Sequence, residues 1–388
     1  MTETNEKTTV VVVGGGVAGL AVGNFLLRSG IACVVLEKHS REHVEQRQRA
    51  GALNGRGVRM FREWGLDEVL PEPSSSDSID APGMPMRIDG KERMWKDMED
   101  DGEGVFCPQQ VLVRNLIKVF LPDGGDLRFE ADDVTLDNLD SDRPAVRYRD
   151  ATGATNVLDC DFVAGCDGYH GVSRQSIPAG ALTRYSHEFG YAWLAVLAEV
   201  PADPLATMAV HSRGFAAQIT RGPKASRLYL QVPLTDTVDD WPETRIWTEL
   251  ETRFGDPVSP KGPITTKQLV PLQGVVYSPM NYGRLYLAGD AAHLISPMSA
   301  EGMSLALHDA EAFARAVVHH VEKDDPSLLE SYSGVCLRNT WERQAAAVWM
   351  TDTMHDSGDA SHRGEFLRQV ARVNLETLLE PPAEPSTA

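Results

Sequence analysis

A chain of 388 residues with 42% hydrophobic side chains is long enough for two or three domains and a substantial buried core. Its 37 Lys+Arg against 56 Asp+Glu leave a net charge of −19, a field that repels nucleic acid and anionic lipid. No stretch reaches the roughly 18 apolar residues a membrane helix needs. The polar opening Met1–Thr9 is too short for a secretory signal.

The β-branched run Thr8–Val13 predicts a buried strand. Val17–Ser29 has the apolar spacing of a helix, and Ile31–Leu36 is a second buried strand leading to Glu37. Between the first strand and the helix stands Gly14-x-Gly16-x-x-Gly19. The first glycine permits a tight turn, the second lets backbone approach a pyrophosphate, and the third allows close helix–strand packing. The helix start offers N–H groups to phosphate, and Glu37 is placed to accept from ribose hydroxyls. This points to dinucleotide binding without separating NAD from FAD.

Leu53–Trp64 reads as helix, residues 72–101 as a long Ser/Pro/Gly/Asp-rich loop or excursion, and Gln109–Phe120 as helix again. Residues 126–165 alternate and predict short strands, the last opening into Gly165-Cys-Asp167-Gly168, a turn suited to close approach by a ligand. Trp193–Val200 and Arg227–Val232 predict a separate antiparallel sheet. Gly283–Ala288 runs as a strand into Gly289-Asp290, and Gly302–His320 and Leu328–Met354 read as long helices. Asp290 at that strand end suits ribityl hydroxyls, and the helix start at Gly302 suits the negative charge a flavin ring gains on reduction. The competing reading makes Asp290 an N-cap in an ordinary strand–turn–helix unit.

The cysteines, Cys33, Cys107, Cys160, Cys166 and Cys336, form no C-x-x-C pair, so no disulfide framework or metal site is expected and a reducing cytoplasm fits them. His293 is expected to pack or hydrogen-bond beside its turn, His319 and His320 to lie on a helix surface, and Trp341 and Trp349 to sit in the core.

These turns, in this order, resemble the single-component flavoprotein aromatic hydroxylases (group A FAD monooxygenases), in particular their 4-hydroxybenzoate-hydroxylating branch. The resemblance runs through about Met354 and is carried by Arg47-Gln-Arg49-Ala-Gly51, Gly165-Cys-Asp-Gly168, Arg174-Gln-Ser-Ile-Pro178, Arg213-Gly-Phe215, Gln231-Val-Pro-Leu234 and Leu287-Ala-Gly-Asp-Ala-Ala-His293. It implies an α/β protein: a Rossmann-like FAD-binding domain, a mostly antiparallel substrate-domain sheet covering the flavin, and a helical C-terminal part. The implied segments are 1–80, 106–178 and 276–322 for FAD, 81–105 and 179–275 for substrate, helices over 323–380 and a disordered tail at 381–388.

The same resemblance implies FAD as cofactor, NADPH or NADH as co-substrate, O2, a small aromatic substrate and a homodimer. Oxygen would pass to an electron-rich ring from a flavin C4a-hydroperoxide. Arg49 and Gln109 match FAD contacts, Lys38, His43, Arg47 and His170 match positions that meet the nicotinamide nucleotide, and Lys38 and Arg41 just beyond Glu37 weakly favour a 2′-phosphate. Pro297 matches a proline whose carbonyl lies near the substrate hydroxyl, and Arg227 an arginine near the flavin. Arg221 and Tyr229 match ligands of the substrate carboxylate.

The departures are informative. A serine becomes Ile219, the phenol-binding tyrosine becomes Met208, a threonine becomes Met298, a lysine becomes Glu301, and an arginine of the coenzyme site becomes Gln273. No tyrosine follows Tyr332 to relay a proton. Polar partners give way to apolar side chains, which implies a ring less polar than 4-hydroxybenzoate: a phenol, hydroxypyridine or indole-like compound of specialised metabolism; the alternatives are 4-hydroxybenzoate itself, or a flavin-dependent reductase of the same fold.

Overall fold

The computed structural model describes residues 4–47, 53–71, 85–95, 104–105, 107–201, 206–221, 224–256, 261–356 and 358–379. The chain divides into two compact units, the first comprising residues 1–79, 100–186 and 274–345, the second 80–99, 187–273 and 346–388.

The first unit is built on a six-stranded sheet in the order Asn281–Tyr282, Leu285–Leu287, Phe162–Gly165, Val10–Val13, Cys33–Leu36, Asp126–Arg128. All pairings are parallel except that between Asn281–Tyr282 and Leu285–Leu287. Strands buried on both faces need no alternation, which is why Val10–Val13 is four valines, every one buried. Helices Val17–Arg28 and Gln109–Phe120 and the 22-residue helix Gly302–Lys323 cover the sheet, and Leu20, Phe25, Phe120, Phe162 and Phe313 fill the core. The register pairs Val13 with Leu36 and Gly165 with both Val13 and Leu287. Four parallel strands therefore end level, at one edge of the sheet.

The second unit carries, in sheet order, residues 264–273 of the strand Ile264–Ser278, residues 187–198 of the strand Thr183–Ala198, then Ser226–Pro233, Gly214–Thr220, Ala206–His211, Pro85–Ile88 and Lys91–Met94. Ala206–His211 pairs parallel with Pro85–Ile88; the Gly214–Thr220 strand pairs antiparallel on both sides. Helix Glu243–Phe254 packs Ile246, Trp247 and Leu250 against Leu194, Val196, Leu228 and Leu230 on one face of this sheet.

Within the stretch 72–101, read as a loop or excursion, Pro85–Ile88 and Lys91–Met94 form a hairpin across Asp89 (φ 45°) and Gly90 (φ 77°), the positive-φ pair that such a turn demands. Two expectations are corrected. Trp341 and Trp349 are 44% and 39% exposed, because their helix turns those positions outward. His319 and His320 are both half-buried rather than surface residues, the His320 ring edge-on to Phe162 at 5.6 Å. The expected tail at 381–388 lies outside the described residues, and no described helix is long and apolar enough to cross a membrane.

Candidate functional site

At the level edge of the parallel sheet the first glycine turn is forced by its surroundings. Gly14 has φ 106°, and a Cβ there would stand 2.4 Å from the Cys166 carbonyl oxygen. A Cβ on Gly19 would stand 1.9 Å from the Gly14 carbonyl oxygen, so only glycine lets helix and strand close up. Gly16 is different: it caps the helix Val17–Arg28 with no side chain of its own, and among the described residues nothing lies within 4 Å of where its Cβ would be. No side chain among the described residues caps this helix, so its first N–H groups and the positive end of its dipole are offered to a ligand.

Glu37 is 8% exposed. The Gly15 N–H donates to its Oε2 and the His39 N–H to its Oε1, both at 2.8 Å. Two donors leave lone pairs on the carboxylate for further hydroxyls. Asp167, after the adjacent strand, accepts from the Ser173 N–H at 2.8 Å through Oδ2, while Oδ1 is buried and has no partner among the described residues. Burial pushes its carboxyl above the usual carboxylate range, against the lowering effect of the Ser173 bonds.

The fourth strand end is the Gly289 turn (φ 61°). A Cβ on Gly289 would lie 3.5 Å from the Ala18 methyl and 3.1 Å from that of Ala306, so both helix starts converge there. Asp290 is half-buried in the short 3-10 turn Gly289–Ala291. Asp309, which no sequence motif marks, holds this turn: its Oδ2 accepts from the Gly289 N–H at 3.0 Å and faces His293 Nε2 at 2.7 Å. Burial alone would depress the His293 imidazole, but the Asp309 carboxylate reverses this and its pKa is raised.

A raised folded-state pKa stabilises the fold fully below the unfolded value, near 6.5, and less as pH rises through the folded one. Asp309→Asn is therefore expected to destabilise by about 3 kcal/mol at pH 6, with the gap to the parent narrowing toward pH 9. Thermal unfolding of both proteins across that range checks it; a gap independent of pH contradicts the pairing.

Pro297 is exposed at the start of the turn Pro297–Ser299, and its carbonyl accepts from the Ala300 N–H at 3.2 Å, leaving one lone pair. Met298 beside it is 5% exposed. Gly302 opens the long helix directly after Glu301, whose Oε1 meets Arg343 at 3.3 Å. Gln109 is the half-buried first residue of its helix. Arg47 closes the short helix Arg41–Gln46 on the surface, and Arg49 lies outside the described residues. The cations near Glu37 have carboxylate neighbours: Lys38 Nζ is 3.6 Å from Asp132 and Arg41 Nε 2.7 Å from Glu45. His43 stacks on His39 at 4.2 Å.

Met208, Ile219, Arg221, Arg227 and Tyr229 belong to the second unit. Directly opposed residues of a sheet share a face. One row reads Met86, Met208, Ala217, Tyr229, Ala195, and the next Ala206, Ile219, Arg227, Leu197. Met208, Ile219, Arg227 and Tyr229 thus share the face turned away from helix Glu243–Phe254, with small Ala195 and Ala217 on either side of Tyr229. Trp193 stands next to Tyr229, ring centroids 4.7 Å apart. Arg221 follows the Gly214–Thr220 strand. Its Nη1 donates to the Thr220 carbonyl at 2.8 Å, but Nη2 is buried with no partner among the described residues. Burial lowers its pKa, and Arg227 adds to this while the Tyr229 hydroxyl opposes it.

Glycine turns, anchored carboxylates and two helix starts at one parallel edge define a dinucleotide-binding enzyme fold. Residues 7–347 match the model of the FAD binding domain family. The chain is 33% identical to p-hydroxybenzoate hydroxylase of Acinetobacter baylyi, over 98% of this chain and 94% of that protein. It is 24% identical to a probable NADH-specific resorcinol 4-hydroxylase of Rhodococcus jostii, over 94% and 69%. The fold is also that of p-nitrophenol 4-monooxygenase from Pseudomonas putida (TM-score 0.73, 19% identity, 97% and 98% covered) and of aklavinone-11 hydroxylase, solved with FAD and aklavinone (0.76, 19%, 94% and 71%). The chain belongs to the FAD-dependent aromatic hydroxylases. Its edge fits the cofactor on its own evidence: open space over Gly16, free acceptor capacity on Glu37, and a buried Asp167 oxygen without a donor among the described residues.

Proposed function

We propose that this chain is a monooxygenase that hydroxylates an electron-rich hydroxyaryl ring bearing an acidic group and otherwise apolar. NAD(P)H is the reductant and O2 the oxidant: ring C–H, O2, NAD(P)H and a proton give ring C–OH, water and NAD(P)+. FAD, when bound, supplies the electron transfer and the activation of oxygen.

The single observation carrying the acidic group is the buried Nη2 of Arg221 beside Tyr229, partnerless among the described residues. A guanidinium fork presents parallel donors that match a carboxylate, and burying one without its acceptor is costly until the ligand arrives. Met208 and Ile219 on the same face provide no hydrogen-bond donor for a second polar end. Pro297 retains a carbonyl lone pair to receive the ring hydroxyl and orient it. Arg227 lends positive charge. Gly14, Gly16, Gly19, Glu37, Asp167, Asp290 and Gly302 hold FAD, with Gln109 and Arg49, and Lys38 and Arg47 meet the nicotinamide nucleotide. The carboxylates beside Lys38 and Arg41, with Gln273 in place of an arginine, favour NADH, which carries no 2′-phosphate.

4-Hydroxybenzoate itself is the second reading, favoured by Arg221, Tyr229 and the relative at 33% identity. A panel of hydroxyaryl acids and their neutral amide counterparts decides, with NADH or NADPH oxidation followed against product formation. Acids are expected to accelerate coenzyme oxidation at least about tenfold more than the amides. Equal rates contradict the acidic group, and coupled turnover of 4-hydroxybenzoate above all other acids establishes the second reading.

A further inference from the structure

Trp193 and His355 make a polar contact in the middle of an aromatic cluster in the second unit. An indole N–H only donates. It meets His355 Nε2 at 2.7 Å, so Nε2 is the unprotonated nitrogen. The proton is on Nδ1, which lies 2.9 Å from the Thr351 carbonyl and donates to it. Both ring nitrogens are satisfied and the tautomer is fixed. Burial pulls the imidazole down to about 3, so it stays neutral at any working pH.

The imidazole is also clamped by packing. Tyr191 stacks on it at 5.0 Å and Phe215 tilts against it at 4.6 Å. Next to it, the Gln231 side-chain oxygen accepts from the Phe215 N–H at 3.0 Å and the Asp356 N–H at 3.3 Å, which ties the segment after the helix Ser327–Met354 to the sheet. His355 in turn fixes the indole of Trp193, and the indole borders Tyr229 on the face that carries Met208, Ile219 and Arg227. A phenyl and an isobutyl group would fill this space without any directional bond. A satisfied polar pair selects one ring orientation instead.

We infer that His355 and Trp193 are positioning residues that hold the Tyr229 ring, and through it Arg221, in the geometry that receives the acidic end of the substrate. The inference rests on the assignment of Arg221 and Tyr229 as substrate ligands. His355 acts through Trp193, so its removal is expected to act on binding of the aromatic acid and not on the chemical step.

His355→Leu deletes the acceptor and Trp193→Phe deletes the donor while keeping a ring. Each is expected to raise KM for the aromatic acid about tenfold with kcat within about twofold, and the double variant to be no worse than either alone. His355→Gln, whose amide oxygen accepts from the indole, is expected to recover most of the loss. The same ranking is expected in acid binding to the FAD-loaded protein, read from the flavin absorbance change without turnover. Unchanged KM and binding in Trp193→Phe, or no recovery with glutamine, overturns the inference. Arg221→Met separates the two levels: if it leaves KM unchanged, the ligand assignment fails; if it raises KM while the Trp193 and His355 variants do not, only the positioning role fails.

Discussion

Arg221→Met is expected to raise KM for an aromatic acid by on the order of 10²-fold, with the thermal midpoint of the protein unchanged or slightly higher. The two effects separate because the guanidinium is under-satisfied in the free protein. Nη1 has the Thr220 carbonyl, the Tyr229 hydroxyl hydrogen-bonds the guanidinium, and the backbone N–H of Arg221 has the Ala225 carbonyl at 2.7 Å, yet Nη2 has no partner among the described residues. An under-paired buried cation is a cost to the fold that a flexible apolar side chain of similar length relieves. The same donor supplies a charge-assisted bond to the bound carboxylate, which methionine cannot make. Arg221→Lys is expected to fall between, because an ammonium keeps the charge but not the planar fork. Steady-state kinetics and calorimetric unfolding on the same preparations check both halves. An unchanged KM contradicts the acidic-group assignment, whatever happens to stability.

Gly16→Val is expected to yield a folded protein that takes up FAD at least about 10²-fold more weakly, whereas Gly19→Val is expected to lose the fold. The backbone at Gly16 (φ −80°) is open to any residue, and among the described residues nothing lies within 4 Å of the added Cβ. A valine there collides with the cofactor alone. At Gly19 the Cβ would meet the Gly14 carbonyl oxygen at 1.9 Å, so the helix has to lift off the strand at a cost of about 3 kcal/mol or more. Far-ultraviolet circular dichroism reads the fold, and the ratio of visible flavin absorbance to protein reads the cofactor. A fully yellow Gly16→Val protein contradicts the placement of the pyrophosphate.

The cofactor edge is legible in the sequence because it is local chemistry. Gly14 and Gly19 are glycines for steric reasons that act within a few residues of a strand end, and Glu37 follows its strand directly. The hairpin around Asp89-Gly90 and the helix Glu243–Phe254, set between Pro242 and Gly255, carry local punctuation of the same kind, though the polar composition around the hairpin masks it. Asp309 is not legible: it lies in mid-helix, and its partners His293 and Gly289 come to it only through packing of that helix on the strand end. Trp193 and His355 are separated by 162 positions, and nothing local to either announces the other. Residue type also misleads at Trp341, where apolar bulk suggests core but the helix turns it outward onto Tyr185 at 5.6 Å.

The most direct test of aromatic oxygenation is turnover under isotopically labelled dioxygen with NADH and the best hydroxyaryl acid from the panel. One labelled oxygen atom in the ring of the product, formed in step with coenzyme oxidation, is the expected result. Coenzyme oxidation that yields only hydrogen peroxide across every acid of the panel, or ring oxygen drawn from water, contradicts it.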